Sequence, residues 1–233
     1  MREIVFDTET TGLNANGGDR LVEIGCIEMI GRIETGNTFH VYLNPDRPMP
    51  AEAQAIHGLS DAFLSDKPKF ADVIDDFLAF LGDDAMLVAH NATFDFGFVD
   101  AELKRAGRPL LDRARMVDTI AMARKLHPGA KHSLDALCTR YGVDRSHRVK
   151  HGALLDAELL AQLYVEMTGG RQIGLGLGSA VSTIVDPTSD ATSIDRSDRP
   201  FRAARPHSAT VEELARHADF IAGIDNALWL QQA

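Results

Sequence analysis

Asp7-Thr8-Glu9 follows directly on the apolar triplet Ile4-Val5-Phe6. Alternate residues of an extended strand share a face, so Val5, Asp7 and Glu9 point one way and Ile4, Phe6 and Thr8 the other. Two carboxylates thus emerge side by side from the end of a buried strand. Like charges that close repel, and burial adds a desolvation penalty. A multivalent cation removes both; a solvated strand end is the ordinary alternative for an isolated pair. Two further acids shift the balance. Asp156 shares a helical face with Leu160, Leu163 and Met167, at offsets of 4, 7 and 11, and a carboxylate on an apolar stripe needs a partner. Asp95 stands at the head of a helix among Phe94, Phe96 and Phe98, just after Met86-Leu87-Val88-Ala89. Such element ends are where α/β sheets place their sites. Any one acid has a helix-cap or ion-pair explanation. Four together, with no equally placed lysine or arginine, point to a site for two hard divalent cations.

Two histidines join this set. His151 lies five residues before Asp156, at the mouth of the same helix and beside Lys150. It reads either as a polar helix-entry residue or, beside two metals, as a general base, because histidine titrates near neutrality. His57, in Ile56-His57-Gly58-Leu59, either binds substrate or turns a loop.

The elements that must hold these residues fall within 1–168. Ile4-Val5-Phe6, Leu21 to Met29 and Thr38 to Leu43 read as strands, with Gly31 and Gly36 between the last two as hairpin connections require. Ala71 to Leu81 has helical spacing, and Met86 to Ala89 is a fourth strand. Asp95 to Ala106 is a helix ended by Gly107 and Pro109, Met116-Val117 a fifth strand, and Thr119 to Leu126 a helix. Ser133 to Tyr141 and Gly152 to Met167 complete the set, the latter closed by Gly169-Gly170. Three strands in hairpin order, then strands alternating with helices, predict an α/β fold with a mixed five-stranded sheet flanked by helices. Residues 169–209 have the Gly, Ser, Thr, Asp, Pro and Arg content of a flexible linker. Order is expected to resume at 210–233, where Thr210 and Glu213 form a capping box and Leu214, His217, Ala218 and Ile221 recur on one face.

Composition narrows the class. The 233 residues are 45% hydrophobic and 25% charged, ordinary for a globular protein and unlike collagen, coiled coil or a wholly disordered chain. No uninterrupted apolar run approaches the roughly 18 residues of a membrane span, and acids follow the first methionine too soon for a signal peptide. Cys26 and Cys138 lack metal-type spacing and read as reduced thiols of a cytoplasmic protein. A net charge of −10 argues against binding nucleic acid by bulk charge alone. The charge is uneven, however: residues 104–150 hold 12 of the 24 basic residues and only four acids. That is either a phosphate-binding rim beside a metal-binding floor or two solvated faces.

Four stretches taken together carry a family resemblance: Phe6-Asp7-Thr8-Glu9-Thr10-Thr11-Gly12-Leu13, His57-Gly58-Leu59, Ala89-His90-Asn91-Ala92-Thr93-Phe94-Asp95 and His151-Gly152-Ala153-Leu154-Leu155-Asp156-Ala157. In order and spacing they resemble the DEDDh exonucleases of the RNase H-like fold, over residues 1 to about 170. Within that family, Leu134-Asp135-Ala136-Leu137-Cys138 and Met167-Thr168-Gly169-Gly170 are most similar to the proofreading epsilon subunits of bacterial DNA polymerase III. The resemblance implies metal binding by Asp7, Glu9, Asp95 and Asp156, with His151 as general base. It implies one Mg²⁺ or Mn²⁺ on Asp7, Glu9 and Asp156, activating water, and another on Asp7 and Asp95, stabilising the leaving 3′-oxygen. Thr10 and Leu13, with Glu52 and His57, match positions near the substrate, as do Asp7, Glu9 and Asp156. The implied reaction releases nucleoside 5′-monophosphates from a DNA 3′ end. Histidine rather than tyrosine in the fourth motif specifies the DEDDh branch.

The tail resembles the same subunits more weakly. Gln172-Ile173-Gly174-Leu175-Gly176-Leu177 resembles a sliding-clamp (beta) peptide with Gln172, Leu175 and Leu177 as anchors in a groove; otherwise it is a glycine-rich linker. The end segment with Leu228-Trp229-Leu230 resembles the part that docks on the polymerase III alpha subunit, with Leu228 and Trp229 as anchors, or is a helix folded back on the domain. A small theta-like subunit and a place in the nucleoid-associated bacterial replisome follow from the same resemblance. Two other readings stand beside this one. A stand-alone DEDDh exonuclease or exoribonuclease would not need the tail. A non-catalytic scaffold bridging polymerase and clamp would not need four acids and a histidine.

Overall fold

The computed structural model describes residues 1–146, 148, 150–170 and 208–224. They fall into two compact units, within Met1–Leu177 and Gly178–Ala233. In the first, the described residues form one sheet of strands β1 (Arg2–Thr10), β2 (Leu21–Ile30), β3 (Ile33–Tyr42), β4 (Met86–Ala89) and β5 (Met116–Asp118), ordered β3-β2-β1-β4-β5. The β1–β2 and β2–β3 pairs are antiparallel, the β1–β4 and β4–β5 pairs parallel. This is the mixed sheet expected from the element order.

Alternation along β1 and β2 builds two cores. Ile4, Phe6, Ile24 and Cys26 face α3 (Phe70–Leu81) and α4 (Ala92–Arg105), meeting Phe77, Phe96 and Val99. Val5, Ile27 and Met29 lie on the other face with α5 (Thr119–Leu126), α6 (Leu134–Tyr141) and α7 (Ala153–Met167), meeting Ala123, Leu137, Leu160 and Leu163. Cys26 and Cys138 are both buried and free.

Four elements depart from the sequence reading. β1 runs on through Asp7-Thr8-Glu9 to Thr10, because these polar residues are paired with Leu21 to Gly25 of β2. β3 starts at Ile33 rather than Thr38, taking in Gly36 that read as part of the connection, since a register shift in β2 absorbs the irregularity. Two short helices, α1 (Ala51–His57) and α2 (Asp61–Leu64), were not expected. They cover Val22 through Met49, Ala53 and Leu64. The expected clamp anchors Gln172, Leu175 and Leu177 and polymerase anchors Leu228 and Trp229 lie outside the described residues. In the second unit, α8 (Val211–Ala222) begins with the expected capping box: Glu213 N donates to Thr210 Oγ1 at 3.2 Å and Thr210 N to Glu213 Oε2 at 2.8 Å. Among the described residues no helix is long and apolar enough to cross a membrane.

Candidate active site

The site lies where the parallel part of the sheet runs out. β1 pairs with β4 only from Glu3 to Val5. Beyond Val5, β1 continues with no β4 partner on that side, so Asp7 and Glu9 lie past the end of the parallel pairing. The chain turns out of β4 through Asn91, whose left-handed backbone (φ 67°, ψ 51°) a short polar side chain tolerates, and enters α4. Asp95 then falls in the first turn of α4, and Thr8 Oγ1 donates to Asp95 Oδ1 at 2.7 Å.

The fourth acid arrives by a close approach. Gly25 stands opposite Asp7 across the β1–β2 pair. A Cβ at position 25 would lie 2.2 Å from Leu154 N and 2.4 Å from Ala153 C. Only glycine lets the first turn of α7 rest on β2 here, and that contact carries Asp156 over the strand end. A lone glycine inside a strand pattern is a recognisable mark of such an approach. Asp95 and Asp156 both occupy first turns, where the helix dipole favours a negative charge.

Asp7, Glu9, Asp95, Asp156 and His151 all line one cleft of about 380 Å³, with Thr8, His90, Phe94, Ser133 and Asp135. Ligand atoms of Glu9, His151 and Asp156 lie within 4.8 Å of one another. The crowding shows in the titration. Burial, then the charges of Asp95, Glu9 and Asp156, hold the Asp7 carboxyl well above its usual range. Burial, then Asp156 and Glu23, push Glu9 up to about 8. Burial pushes Asp95 up to about 7 against the hydrogen bond from Thr8, which opposes the rise. An all-oxygen set under this strain suits hard divalent cations, whose charge would remove the repulsion.

The expected absence of a basic residue at these acids does not hold. Arg148, from the connection between α6 and α7, enters the cleft. Its Nε lies 2.5 Å from Asp156 Oδ1 and its Nη2 2.7 Å from Asp156 Oδ2. The same Nη2 is 2.7 Å from His151 Nδ1, and Nη1 donates to Asp135 Oδ1 at 2.8 Å. The sequence hid it, since Arg148 lies outside any periodic element. Four other arginines of the basic stretch form ion pairs: Arg105 with Glu102, Arg108 with Asp75, Arg113 with Asp100 and Arg145 with Asp135.

Thr10, Leu13, Glu52 and His57 line an adjoining cavity of about 270 Å³ that shares Thr8, Glu9 and Phe94 with the acidic cleft. Leu13 is 86% exposed, and α1 brings Glu52 and His57 to the cavity from its two ends. His57 is buried, and burial lowers its pKa. Its Nδ1 accepts from Leu59 N at 3.0 Å, so the proton sits on Nε2, which makes no hydrogen bond of normal geometry.

Comparison with known proteins agrees with this architecture. Residues 4–164 match the exonuclease (RNase T) family. The chain is 47% identical over 227 residues to the DNA polymerase III subunit epsilon of Rickettsia felis, covering 96% of this chain and 97% of that one. The chain belongs to the epsilon-subunit family of exonucleases. The epsilon subunit of Escherichia coli is 45% identical over 223 residues, 93% of this chain and 90% of that one. Among solved structures, Exonuclease X in complex with 5′-overhanging duplex DNA is 32% identical with a TM-score of 0.55, covering 72% of this chain and 90% of that one. The nuclease domain of 3′hExo, a DEDDh family member bound to rAMP, shares the fold at 15% identity with a TM-score of 0.63, covering 72% of this chain and 91% of that one. The protein is accordingly a 3′–5′ exonuclease with an RNase H-like fold, of the proofreading type. Membership in the DEDDh group implies divalent metal ions, and the carboxylate cluster fits them.

Proposed function

We propose that the chain proofreads as the epsilon-type subunit of a bacterial replicative DNA polymerase, with Asp7, Glu9, Asp95, Asp156 and His151 as its hydrolytic centre. The observation that carries this reading is the convergence of those five side chains in one cleft. Asp7, Glu9 and Asp156 would hold one divalent ion, Mg²⁺ or Mn²⁺, and Asp7 with Asp95 a second, which would supply Lewis-acid stabilisation of the scissile phosphate and lower the pKa of a water. His151 takes a proton from the attacking water at Nδ1, the ring nitrogen 3.2 Å from Asp156 Oδ2.

The second cavity holds the terminal nucleotide. Exposed Leu13 offers an apolar surface to the base, and Thr10 and Glu52 border the sugar. His57 Nε2–H, whose contact with the Thr10 backbone falls short of normal hydrogen-bond geometry, is placed to donate to an oxygen of the nucleotide. Acids recessed behind a strand end reach only a terminus that has left its duplex, and a mismatch makes that separation easier by a few kcal/mol. Mispaired ends are therefore removed faster than paired ones.

The partners follow the same reading. Residues 1–168 act as the nuclease, 169–209 as a linker with the clamp peptide at Gln172, Leu175 and Leu177, and 210–233 as the polymerase alpha contact through Leu228 and Trp229. A theta-like subunit and a cytoplasmic, nucleoid-associated replisome complete it. The deciding experiment is hydrolysis of 3′-mismatched and matched primer–templates with and without EDTA. Metal-dependent release of 5′-monophosphates, faster from the mismatch, is expected; equal rates on both ends, or activity that survives EDTA, would overturn the reading.

A further inference from the structure

The guanidinium of Arg148 is the only cationic side chain lining the acidic cleft among the described residues. It is 9% exposed and occupies both oxygens of Asp156, with Nε–Oδ1 at 2.5 Å and Nη2–Oδ2 at 2.7 Å. That fork is the bidentate geometry in which arginine binds carboxylate most tightly. The second contact of Nη2, to His151 Nδ1 at 2.7 Å, has a further consequence. A guanidinium has no lone pair to offer, so Nδ1 must be the acceptor and the imidazole proton rides on Nε2. One side chain thus holds the acid that would bind metal and the nitrogen that would take the water's proton. A divalent ion on Asp156 would share an oxygen with a full positive charge already on it.

We propose that Arg148 is a built-in competitor for the metal ion: it occupies Asp156 and masks His151, and metal binding must displace it. This rests on the assignment of Asp156 as a metal ligand. Displacement frees the guanidinium beside a centre that receives a phosphodiester, and Asp135, bound to Nη1 at 2.8 Å, is the counter-charge that retains it nearby. The exchange also releases His151 Nδ1, so the base becomes available only when the ion is in place. An arginine serving merely to prop up the cleft would have the opposite signature, because its loss would loosen the acids and weaken metal binding.

The test is Mn²⁺ affinity of the full chain, by calorimetry and by electron paramagnetic resonance of free Mn²⁺, for wild type, Arg148→Met and Arg148→Lys, with thermal unfolding in EDTA as the companion measurement. Removing a charge-assisted bidentate pair is expected to tighten Mn²⁺ binding roughly tenfold or more in Arg148→Met. Arg148→Lys, which keeps the charge without the fork, should fall between. In EDTA Arg148→Met should melt below wild type, and saturating Mn²⁺ should close that gap. Unchanged or weaker Mn²⁺ binding in a folded Arg148→Met overturns the proposal while leaving the metal site standing. If Arg148→Met does not fold, Arg148→Lys decides by the same criterion. Wild type that binds no Mn²⁺, or binds it equally after Asp7→Asn, overturns the metal assignment itself.

Discussion

Glu9→Gln separates what the acidic cleft does for function from what it does to stability. Glu9 titrates at about 8 instead of 4.5, first because burial strips its water and then because Asp156 and Glu23 repel its charge. Below pH 4.5 the side chain is protonated in folded and unfolded chains alike, and the favourable contribution of its neutral form is complete. Between 4.5 and about 8 the folded chain holds a proton that the unfolded chain has released, so stability falls as pH rises; above 8 the loss is complete. At 1.36 kcal/mol per unit, that shift sets an upper bound of about 5 kcal/mol. Relaxation and water entry reduce it, and about 2 kcal/mol corresponds to a melting shift of about 4–8 °C in a chain of this size. The assay is thermal unfolding by circular dichroism in EDTA at pH 5.5 and 9. Glu9→Gln should melt above wild type by that margin at pH 9 and near it at pH 5.5. Adding Mn²⁺ should raise wild type and leave the variant almost unmoved. A variant that melts at or below wild type at pH 9 in EDTA would refute the reasoning.

Four other outcomes are expected. His151→Ala should lose roughly 10²–10⁴-fold in kcat with little change in oligonucleotide binding; an unchanged kcat would reassign His151 to a structural role. Gly25→Ala should push the first turn of α7 off β2, lowering activity and costing about 1–3 kcal/mol of stability, and wild-type values in both measurements would show that α7 does not depend on this approach. Truncation after Gly170 should leave degradation of free single strands and abolish pull-down by the polymerase subunit. In the full chain, Gln172→Ala with Leu175→Ala should weaken only capture by the clamp; tight polymerase binding by the truncated chain would contradict the tether.

Most of the acidic cleft was legible because its residues sit on strongly periodic elements. The apolar stripe of α7 marks Asp156 as inward-facing, and strand alternation groups Asp7 with Glu9; both are buried or partly buried in the structure. The contributions that escaped are tertiary. Thr8 points to the opposite face of β1 from Asp7, and it meets Asp95 there because α4 packs on the face that Ile4 and Phe6 also cover. Arg148 belongs to no regular element, so no period announces where its side chain goes. α1 escaped for a local reason: it is seven residues long, begins after Pro50 without a side-chain cap and carries too few apolar positions to show a helical stripe. Gly25 had a readable signal, an unforced glycine inside a strand pattern, whose meaning depends on a helix 128 positions further along.

That separation between Gly25 and Ala153 has a consequence for how the protein comes into being. Asp7 and Glu9 are among the first residues synthesised, and β1 is the central strand of the sheet. His151 and Asp156 come from the last stretch of the nuclease unit. Contacts spanning so much chain form late and set a slow folding pace, and growing chains organise from the N-terminus onward. A nascent chain therefore carries Asp7 and Glu9 for most of its synthesis without the proposed base His151 and without Asp156. On the proposed roles of His151 and Asp156, hydrolytic competence waits until α7 settles against the glycine of β2.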